Sequence, residues 1–543
     1  MQRKNIKTAL IDGYLDEPSA LGVPPYISPH IRYTYGALLH GGIPEEMISY
    51  YTIDQLREKW EEILQELEGF DLVIIIAGTT VPGNYLGGKP ISFKEIREIG
   101  NSLFYPQKVL GGPFTLVIKE VPGYDLICDE VAAVTLYERL MDIDIDRNKI
   151  PEYLAEWAVA GARLTRKHPS YPYLVCELET FRGCPRLDHC AFCSERLKKT
   201  LYQRAPEDII REVRALAEEG NHFYRLGGQT DLLLYQARRQ ADGSFILNQG
   251  AIEELYSGIR KADPDLRVLH LDNINPANIT KYWESRQILE TIVKYNTPGD
   301  IAAFGLESAD PVVLKKNNIE SDPENTLEAI RILNAIGGRR EDGIPKLLPG
   351  LNLLHGLIGE RKETMEYNYQ YLKKIYDEGL MLRRINIRQV VRTGSYPAEK
   401  VRQRDFKAYK ERVNEDINKP MLQRVFPVGT VIKDVFIESH KGNLSFGRQL
   451  GSYPILIGIP GNITRRQFID VRVIDHGYRS ITALPWPFRI REASLPQLQS
   501  IPGIGEKRAR AIIQEKPCNL AELHQILGKD FPLQEWADWF IFD

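Results

Sequence analysis

The stretch ETFRGCPRLDHCAFCSER, residues 179–196, places Cys184, Cys190 and Cys193 within ten positions, directly after a run, YLVCELET, that reads as a buried strand. Gly183 and Pro185 flank the first thiol and disfavour regular structure, so the three sulfurs belong to a loop at the carboxyl end of that strand. Six cysteines in 543 residues are too few for a disulfide framework, and three crowded together read as metal ligands in a reducing compartment. The other three, Cys128, Cys176 and Cys518, stand alone and read as small hydrophobes. Two metal readings follow. Three thiolates can hold three irons of a cubane cluster and leave the fourth iron open, or they can join His189 in a tetrahedral zinc site.

Outward from this loop, strand-like and helical stretches alternate. From about Pro172 to Arg392 the segments YLVCELET, HFYRLGG, RVLHLDN, IAAFGLES, GLNLLHGLIG and RINIRQVV read as six strands, each followed by a helical stretch. That pattern predicts a full or partial (β/α) barrel with its chemistry at the carboxyl ends of the strands. Upstream, KTALID, a helix over Asp54 to Leu67, DLVIIIAGTT, a helix over Lys94 to Leu103, and KVLGGP predict a doubly wound parallel sheet. Its crevice would be lined by the turns Gly78 to Gly83 and Gly111 to Pro113. Downstream, a basic helical connector over Glu399 to Asn418 precedes residues 428–485, where glycines break short strands and predict a small β-barrel. Short helices fill Leu495 to Asp543. The predicted units are therefore residues 1–150, 165–395, 396–427, 428–485 and 490–543, an α/β protein with a small β-barrel and a C-terminal helical hairpin appended.

Composition supports a globular protein, with 43% apolar and 26% charged residues. The longest apolar runs are strand-sized, well short of the roughly 20 residues of a membrane span. The amino terminus, MQRKNIKTALIDG, lacks the apolar core of a signal peptide, so a cytoplasmic protein without membrane contact is expected. The net charge of −3 conceals an uneven distribution. Met421 to Ile513 carries thirteen Lys or Arg against six Asp or Glu, which makes the C-terminal part locally basic.

The cysteine loop resembles the signature of the radical S-adenosylmethionine (SAM) superfamily, including the aromatic Phe192 before the last thiol. It departs from that signature in having five residues rather than three between the first two cysteines. Further motifs follow in order. RLGGQTD resembles the glycine pair that contacts the cofactor's amino group, here Gly227 and Gly228, with Gln229 in place of an acidic residue. FGLESADPVVLKKNN closely resembles the segment in which a strand ends in Gly-x-Glu-Ser, and Gly305, Glu307, Ser308, Asp310, Leu314, Lys315 and Asn318 fall in place. GLIGERKET is similar to the glycine turn with a downstream acidic-Thr pair, here Gly356, Gly359, Glu363 and Thr364. The resemblance implies a [4Fe-4S] cluster on Cys184, Cys190 and Cys193. It also implies S-adenosylmethionine positioned by Phe192, Gly227, Gly228, Gln229, Glu307 and Ser308, and an electron donor such as ferredoxin or flavodoxin. Its chemistry would be reductive cleavage of the cofactor to methionine and a 5′-deoxyadenosyl radical. Four ordered matches favour this reading over zinc. His270 and Asn273, near the third strand end, read as satisfied polar residues.

The N-terminal unit resembles the cobalamin-binding-like domain that precedes many such barrels, through its opening strand, the Pro24 to Gly36 segment and the Leu110-Gly111-Gly112-Pro113 turn. Cobalamin is therefore a candidate cofactor, although the first strand continues as Asp12-Gly13-Tyr14 and no histidine precedes His30 to serve as an axial ligand. The β-rich module looks like a TRAM domain, an RNA-binding barrel. Arg448, Arg465, Arg466 and Arg472, interleaved with Phe446, Tyr453 and Phe468, suit phosphate tracking and base stacking. LQSIPGIGEKRARAII is similar to a helix-hairpin-helix, in which the Gly503 to Gly505 hairpin offers backbone N–H groups to phosphate and Lys507, Arg508 and Arg510 add counter-charge. Together these resemblances imply radical modification of a structured RNA, tRNA foremost, by methylation or sulfur insertion at an unactivated carbon. No cysteine precedes Cys128, which disfavours methylthiolation through a second cluster. A protein or peptide substrate, and a zinc-stabilised nucleic-acid adaptor without catalysis, are the alternatives.

Overall fold

Fully buried apolar strands need partners on both edges and helices on both faces, and the run Leu72–Ile76 has them. A computed structural model describes residues 5–17, 20–78, 87–128, 131–390 and 396–542. In it, β1 (Thr8–Asp12), β2 (Ile48–Thr52), β3 (Leu72–Ile76), β4 (Gln107–Gly111) and β5 (Leu126–Ile127) form a parallel sheet in the order β2-β1-β3-β4-β5. Helices α1 (Pro29–His40), α2 (Trp60–Leu67), α3 (Phe93–Ser102), α4 (Ala132–Met141) and α5 (Ile150–Gly161) accompany it. Helices α1 and α5 cross in close contact. A Cβ on Gly36 would fall 2.0 Å from the Trp157 carbonyl oxygen, and one on Gly161 would fall 2.1 Å from that of Arg32.

At the carboxyl end of β1, the buried Asp12 carboxylate accepts the Tyr14 N–H and the Tyr50 hydroxyl, each at 2.9 Å. Burial raises its pKa from 3.8 to about 7. The folded protein thus holds Asp12 neutral while the unfolded chain ionises it. Its contribution to stability is whole below pH 3.8, falls as the pH rises, and is exhausted above about pH 7. Asp12→Asn is expected to remove this slope. Urea unfolding from pH 4 to 8 should show the wild type losing up to about 4 kcal/mol relative to the variant.

The predicted crevice of this sheet is narrow where it is described. Tyr14 and Leu15 are buried beyond the end of β1, and Ile91 lies so close to Gly13 that a Cβ there would meet its Cγ2 at 2.5 Å. Beyond Gly78, the turn expected to Gly83 lies outside the described residues.

The six expected barrel strands are all present: β6 (Val175–Gly183), β7 (Phe223–Gln229), β8 (Val268–Leu271), β9 (Asp300–Glu307), β10 (Leu347–His355) and β11 (Arg384–Gln389). They alternate with α6 (Pro206–Glu218), α7 (Gln249–Ala262), α8 (Ser285–Tyr295), α9 (Pro323–Gly337) and α10 (Thr364–Asp377). Pairing is parallel throughout, with β8 and β9 joined through a single bridge between Asn273 and Ala303. The result is a partial barrel. Its β6 edge is extended by the short strand Tyr26–Ile27 of the N-terminal unit, and behind it Arg32 of α1 donates to the Glu177 carbonyl and pairs with Glu212 of α6.

The connector comprises α11 (Gln403–Val413), a π turn over Asn414–Asn418, and α12 (Lys419–Val425). It leads to a closed five-stranded barrel of β12 (Val431–Lys441), β13 (Leu444–Gln449), β14 (Leu456–Pro460), β15 (Phe468–His476) and β16 (Ser480–Trp486). The closing helices α13 (Leu495–Gln499), α14 (Glu506–Glu515) and α15 (Leu520–Leu527) share a core with Trp536, Trp539 and Phe540. No helix among the described residues is long and apolar enough to cross a membrane.

Two sets of side chains dock the small barrel onto the large one. Phe436 and Phe468 pack with Tyr173 and Phe223, and Arg267 lies over the Phe468 ring at 4.3 Å. Deeper in, the fully buried Arg225 pairs with Glu177 at 2.7 Å and Asp272 at 2.5 Å, while the Tyr453 hydroxyl donates to Asp272 at 2.5 Å. Ser452 completes the dock by donating its N–H to His270 Nδ1 and its hydroxyl to the Leu271 carbonyl, both at 2.8 Å.

Candidate active site

A cavity of about 340 Å³ opens at the carboxyl ends of the six strands. Cys184, Cys190, Cys193 and Phe192 form one wall of it. Thr230 and Asp231 follow β7, Gly305 and Glu307 end β9, and Arg384, Asn386 and Arg388 project from β11. Asp16 and Leu21 from the N-terminal unit and Tyr453 from the small barrel close the remainder.

The three thiols are partly exposed toward this space. Burial raises all three pKa values, Cys184 adds to the rise at Cys190, and both add to that at Cys193; Arg186 opposes the shift at Cys184 and Cys190 and donates to Cys190 Sγ at 3.4 Å. Left to themselves they are neutral thiols, so as a ligand set they call for a strongly cationic centre. His189, the fourth zinc ligand of the alternative reading, has its Nε2 at 3.4 Å from the Cys184 carbonyl oxygen. Among the described residues no three His, Cys, Asp or Glu side chains close on a point that a single ion would fill. Three thiols on one loop along one wall of the cavity suit three irons of a cubane cluster.

Glu307 adopts a positive φ of 65°, and its carboxylate lies over Gly305, where a Cβ would sit 2.8 Å from Oε1. Burial pushes its pKa up to about 8. Asp231 is raised to about 7 by burial, and it accepts the Asn278 amide at 2.6 Å and the Leu233 N–H at 3.1 Å. The cavity therefore presents two carboxyl groups that burial holds near neutrality, suited to hydrogen bonding a polar ligand from either protonation state.

Four of the predicted cofactor contacts, Gly227, Gly228, Gln229 and Ser308, are not among the residues that line this cavity. Gly227 and Gly228 pack against β6: a Cβ on the first would meet Glu177 Oε1 at 2.3 Å, and one on the second, at φ 75°, would meet Glu179 Cγ at 2.6 Å. Their reason is close strand packing. Gln229 is fully buried, donating to the Leu226 carbonyl and accepting the Thr180 hydroxyl, both at 3.1 Å. Ser308 is buried in a turn where its hydroxyl accepts the Asp310 N–H at 3.1 Å. The lining positions after β7 are the next two residues, Thr230 and Asp231.

The expected nucleic-acid contacts divide similarly. Arg448 is 6% exposed and ion-paired with Glu438 at 2.9 Å, so it offers no free charge to phosphate. Arg465 donates to the Glu438 carbonyl, Arg466 to those of Pro169 and Tyr171, and Arg472 pairs with Asp538. Phe468 and Tyr453 are spent in docking the small barrel. In the terminal hairpin, Gly503 has a φ of 86°, Gly505 caps α14 with nothing within 4 Å of a Cβ built on it, and Lys507 is exposed. Arg508 instead folds back to the Gly503 carbonyl and Asp530.

Sequence reasoning missed Arg186, Asp231, Arg384 and Arg388. The signal for the last two was present: in RINIRQ, Arg384, Asn386 and Arg388 alternate with isoleucines, which puts them on one face of the strand.

Residues 178–372 match the family described as the radical SAM superfamily, and residues 489–515 match the helix-hairpin-helix motif. The chain belongs to the radical SAM superfamily of enzymes, which carries a [4Fe-4S] cluster and S-adenosylmethionine. Within it, the chain is similar over nearly its whole length to two archaeal proteins. An uncharacterized protein of Archaeoglobus fulgidus is 40% identical over 536 residues, 97% of this chain and 98% of its own length. An uncharacterized protein of Methanocaldococcus jannaschii is 42% identical over 510 residues, 88% of this chain and 92% of its own. Among solved structures, TsrM from Kitasatospora setae is described as a radical S-adenosylmethionine methyltransferase with cobalamin and a [4Fe-4S] cluster bound. It shares 16% identity over 71% of this chain and 72% of its own, with a TM-score of 0.49.

Proposed function

We propose that this radical SAM enzyme modifies a structured RNA, with tRNA the first class to test, by methylation or sulfur insertion at an unactivated carbon. The supporting observation is the construction of the cavity. A small β-barrel contributes Tyr453 to its wall, and the same C-terminal part carries a helix-hairpin-helix whose glycine hairpin is exposed. When bound, the cluster and S-adenosylmethionine supply a carbon-centred radical able to abstract an unactivated hydrogen. In this reading Cys184, Cys190 and Cys193 hold the cluster, Arg186 steadies the loop, and Phe192 shields it. Glu307 and Asp231 orient the polar groups of the cofactor. The same docking contacts that seat Tyr453 keep bulk water from the reacting space. Cobalamin is a candidate ligand of the N-terminal sheet, and no step is assigned to it. Corrin absorbance retained by the purified chain after reconstitution is the measurement that would establish it.

The test is anaerobic incubation of the full chain with S-adenosylmethionine, dithionite and total tRNA, followed by nucleoside mass analysis. The expected result is 5′-deoxyadenosine or S-adenosylhomocysteine together with a nucleoside mass gain of a methyl group or a sulfur. Cofactor cleavage that a protein fraction stimulates, and RNA does not, would transfer the reading to a protein or peptide substrate.

A further inference from the structure

Several buried arginines of this chain are partnered by acids. Arg32 and Arg204 pair with Glu212, and Arg225 pairs with Glu177 and Asp272. The cavity rim breaks the pattern. Arg384 and Arg388 line the cavity from one face of β11. Arg384 is held over the Tyr453 ring at 4.1 Å, and Arg388 is fixed by donating from Nε to Asn386 Oδ1 at 3.2 Å. Arg479, in the turn between β15 and β16, comes close enough to Arg384 and Arg388 for it to disfavour charge on Arg384 and for Arg388 to disfavour charge on Arg479. Lys410 of α11, its ammonium 5.4 Å from the Phe406 ring centroid, faces Arg479 in turn.

Three units of the fold thus bring four cations together, and among the described residues none of the four has a carboxylate within ion-pair distance. Asp16 exerts a smaller opposing pull on Arg384. Burial and mutual repulsion lower Arg384 to about 10 and lower Arg479 and Lys410 as well. Cations that face one another beside a reaction chamber, with no acid of the described residues in ion-pair reach, are arranged for an anion. Two guanidinium forks suit the oxygens of a phosphate group.

We propose that Arg384, Arg388, Arg479 and Lys410 bind an RNA phosphate, the one flanking the nucleotide whose base enters the cavity. This rests on the RNA reading given above and deepens it. A chamber of about 340 Å³ is too small for a duplex, so the target nucleotide must leave its stack while its backbone stays at the rim. A phosphate gripped there sets how deeply the base reaches.

The experiment compares the full-length wild type with Arg388→Gln/Arg479→Gln and with Arg388→Lys/Arg479→Lys, each checked for an unchanged melting temperature. Fluorescence anisotropy with a labelled tRNA transcript is read from about 50 to 300 mM salt. The glutamine pair is expected to lose affinity about tenfold or more at low salt and to flatten the log–log salt slope by about 0.7 to 0.9, the share of one phosphate. The lysine pair should recover the slope. If the wild type binds RNA and the glutamine pair matches it in both affinity and slope, the proposed site is wrong and the RNA reading stands. Absence of wild-type binding at the lowest salt overturns both. Binding of a ribonucleoside 5′-monophosphate that the glutamine pair loses, without any preference for RNA, reassigns the rim to a small phosphorylated substrate and overturns the RNA assignment.

Discussion

Serine in place of any one of Cys184, Cys190 or Cys193 leaves a chain that, after anaerobic reconstitution, has lost its brown colour and most of its iron. Cofactor cleavage should fall by at least about a hundredfold, since even outer partners of metal ligands are worth ten to a hundredfold and these thiols are the ligands themselves. The physical reason is the absence of any substitute. Cys128 and Cys176 are buried in the core away from the cavity, Cys518 lies in the C-terminal helices, and His189 is engaged with the Cys184 carbonyl. Arg186→Gln gives a graded counterpart. Its charge opposes the burial that raises Cys184 and Cys190, and it bonds Cys190 directly, so its loss is expected to cost about tenfold in iron affinity while the chain stays folded. Iron content and the visible spectrum read both effects without any substrate. Full iron retention in all three serine variants would exclude the assignment of the cluster to this loop.

The second large effect is expected at Arg225, which belongs to no site. Arg225→Met strands two buried carboxylates, Glu177 and Asp272, facing each other without the guanidinium that now lies between them. Breaking a buried pair in this way costs about 3–5 kcal/mol. The small barrel should be first to yield, because Tyr453 hydrogen-bonds to Asp272 and Arg225 and anchors its loop there. Urea unfolding is expected to show an early transition, and limited proteolysis should cut near the connector. Neutralising the whole set with Glu177→Gln, Arg225→Met and Asp272→Asn is expected to recover most of the loss, since the penalty lies in uncompensated charge. An unaltered unfolding curve for Arg225→Met would show that the dock rests on the aromatic contacts alone.

Much of this architecture is legible in the linear order of residues. The six barrel strands carry their apolar runs and glycine ends openly, and the loop of thiols announces itself by crowding. The first sheet was readable from the same alternation, the small barrel from short strands broken by glycines, and Pro502-Gly503-Ile504-Gly505 marked the terminal hairpin. The side-chain assignments were less so. Gly227 and Gly228 carry a packing role that the sequence does not reveal, since a glycine that makes room for a ligand and one that makes room for a neighbouring strand look alike in sequence. Arg448, Phe468 and Tyr453 read as a nucleic-acid face because a basic, aromatic surface looks the same whether RNA or another part of the chain covers it. Only the packing of β12 and β15 against Tyr173 and Phe223 decides between them. The rim arginines were missed for the opposite reason: they lie far apart in the chain, at 384, 388 and 479, and folding alone makes them neighbours.

Tyr453 reaches the chamber from a unit that begins about 250 residues after the thiol loop, and Leu21 and Asp16 reach it from one that precedes that loop. A hydrogen-abstracting species released into an unfinished vessel would attack whatever lay nearest, the polypeptide included. Because the walls are drawn from both extremities, a nascent or clipped chain owns the ligands for the reactive centre before it owns the enclosure. Safe ignition is in this way made contingent on complete assembly.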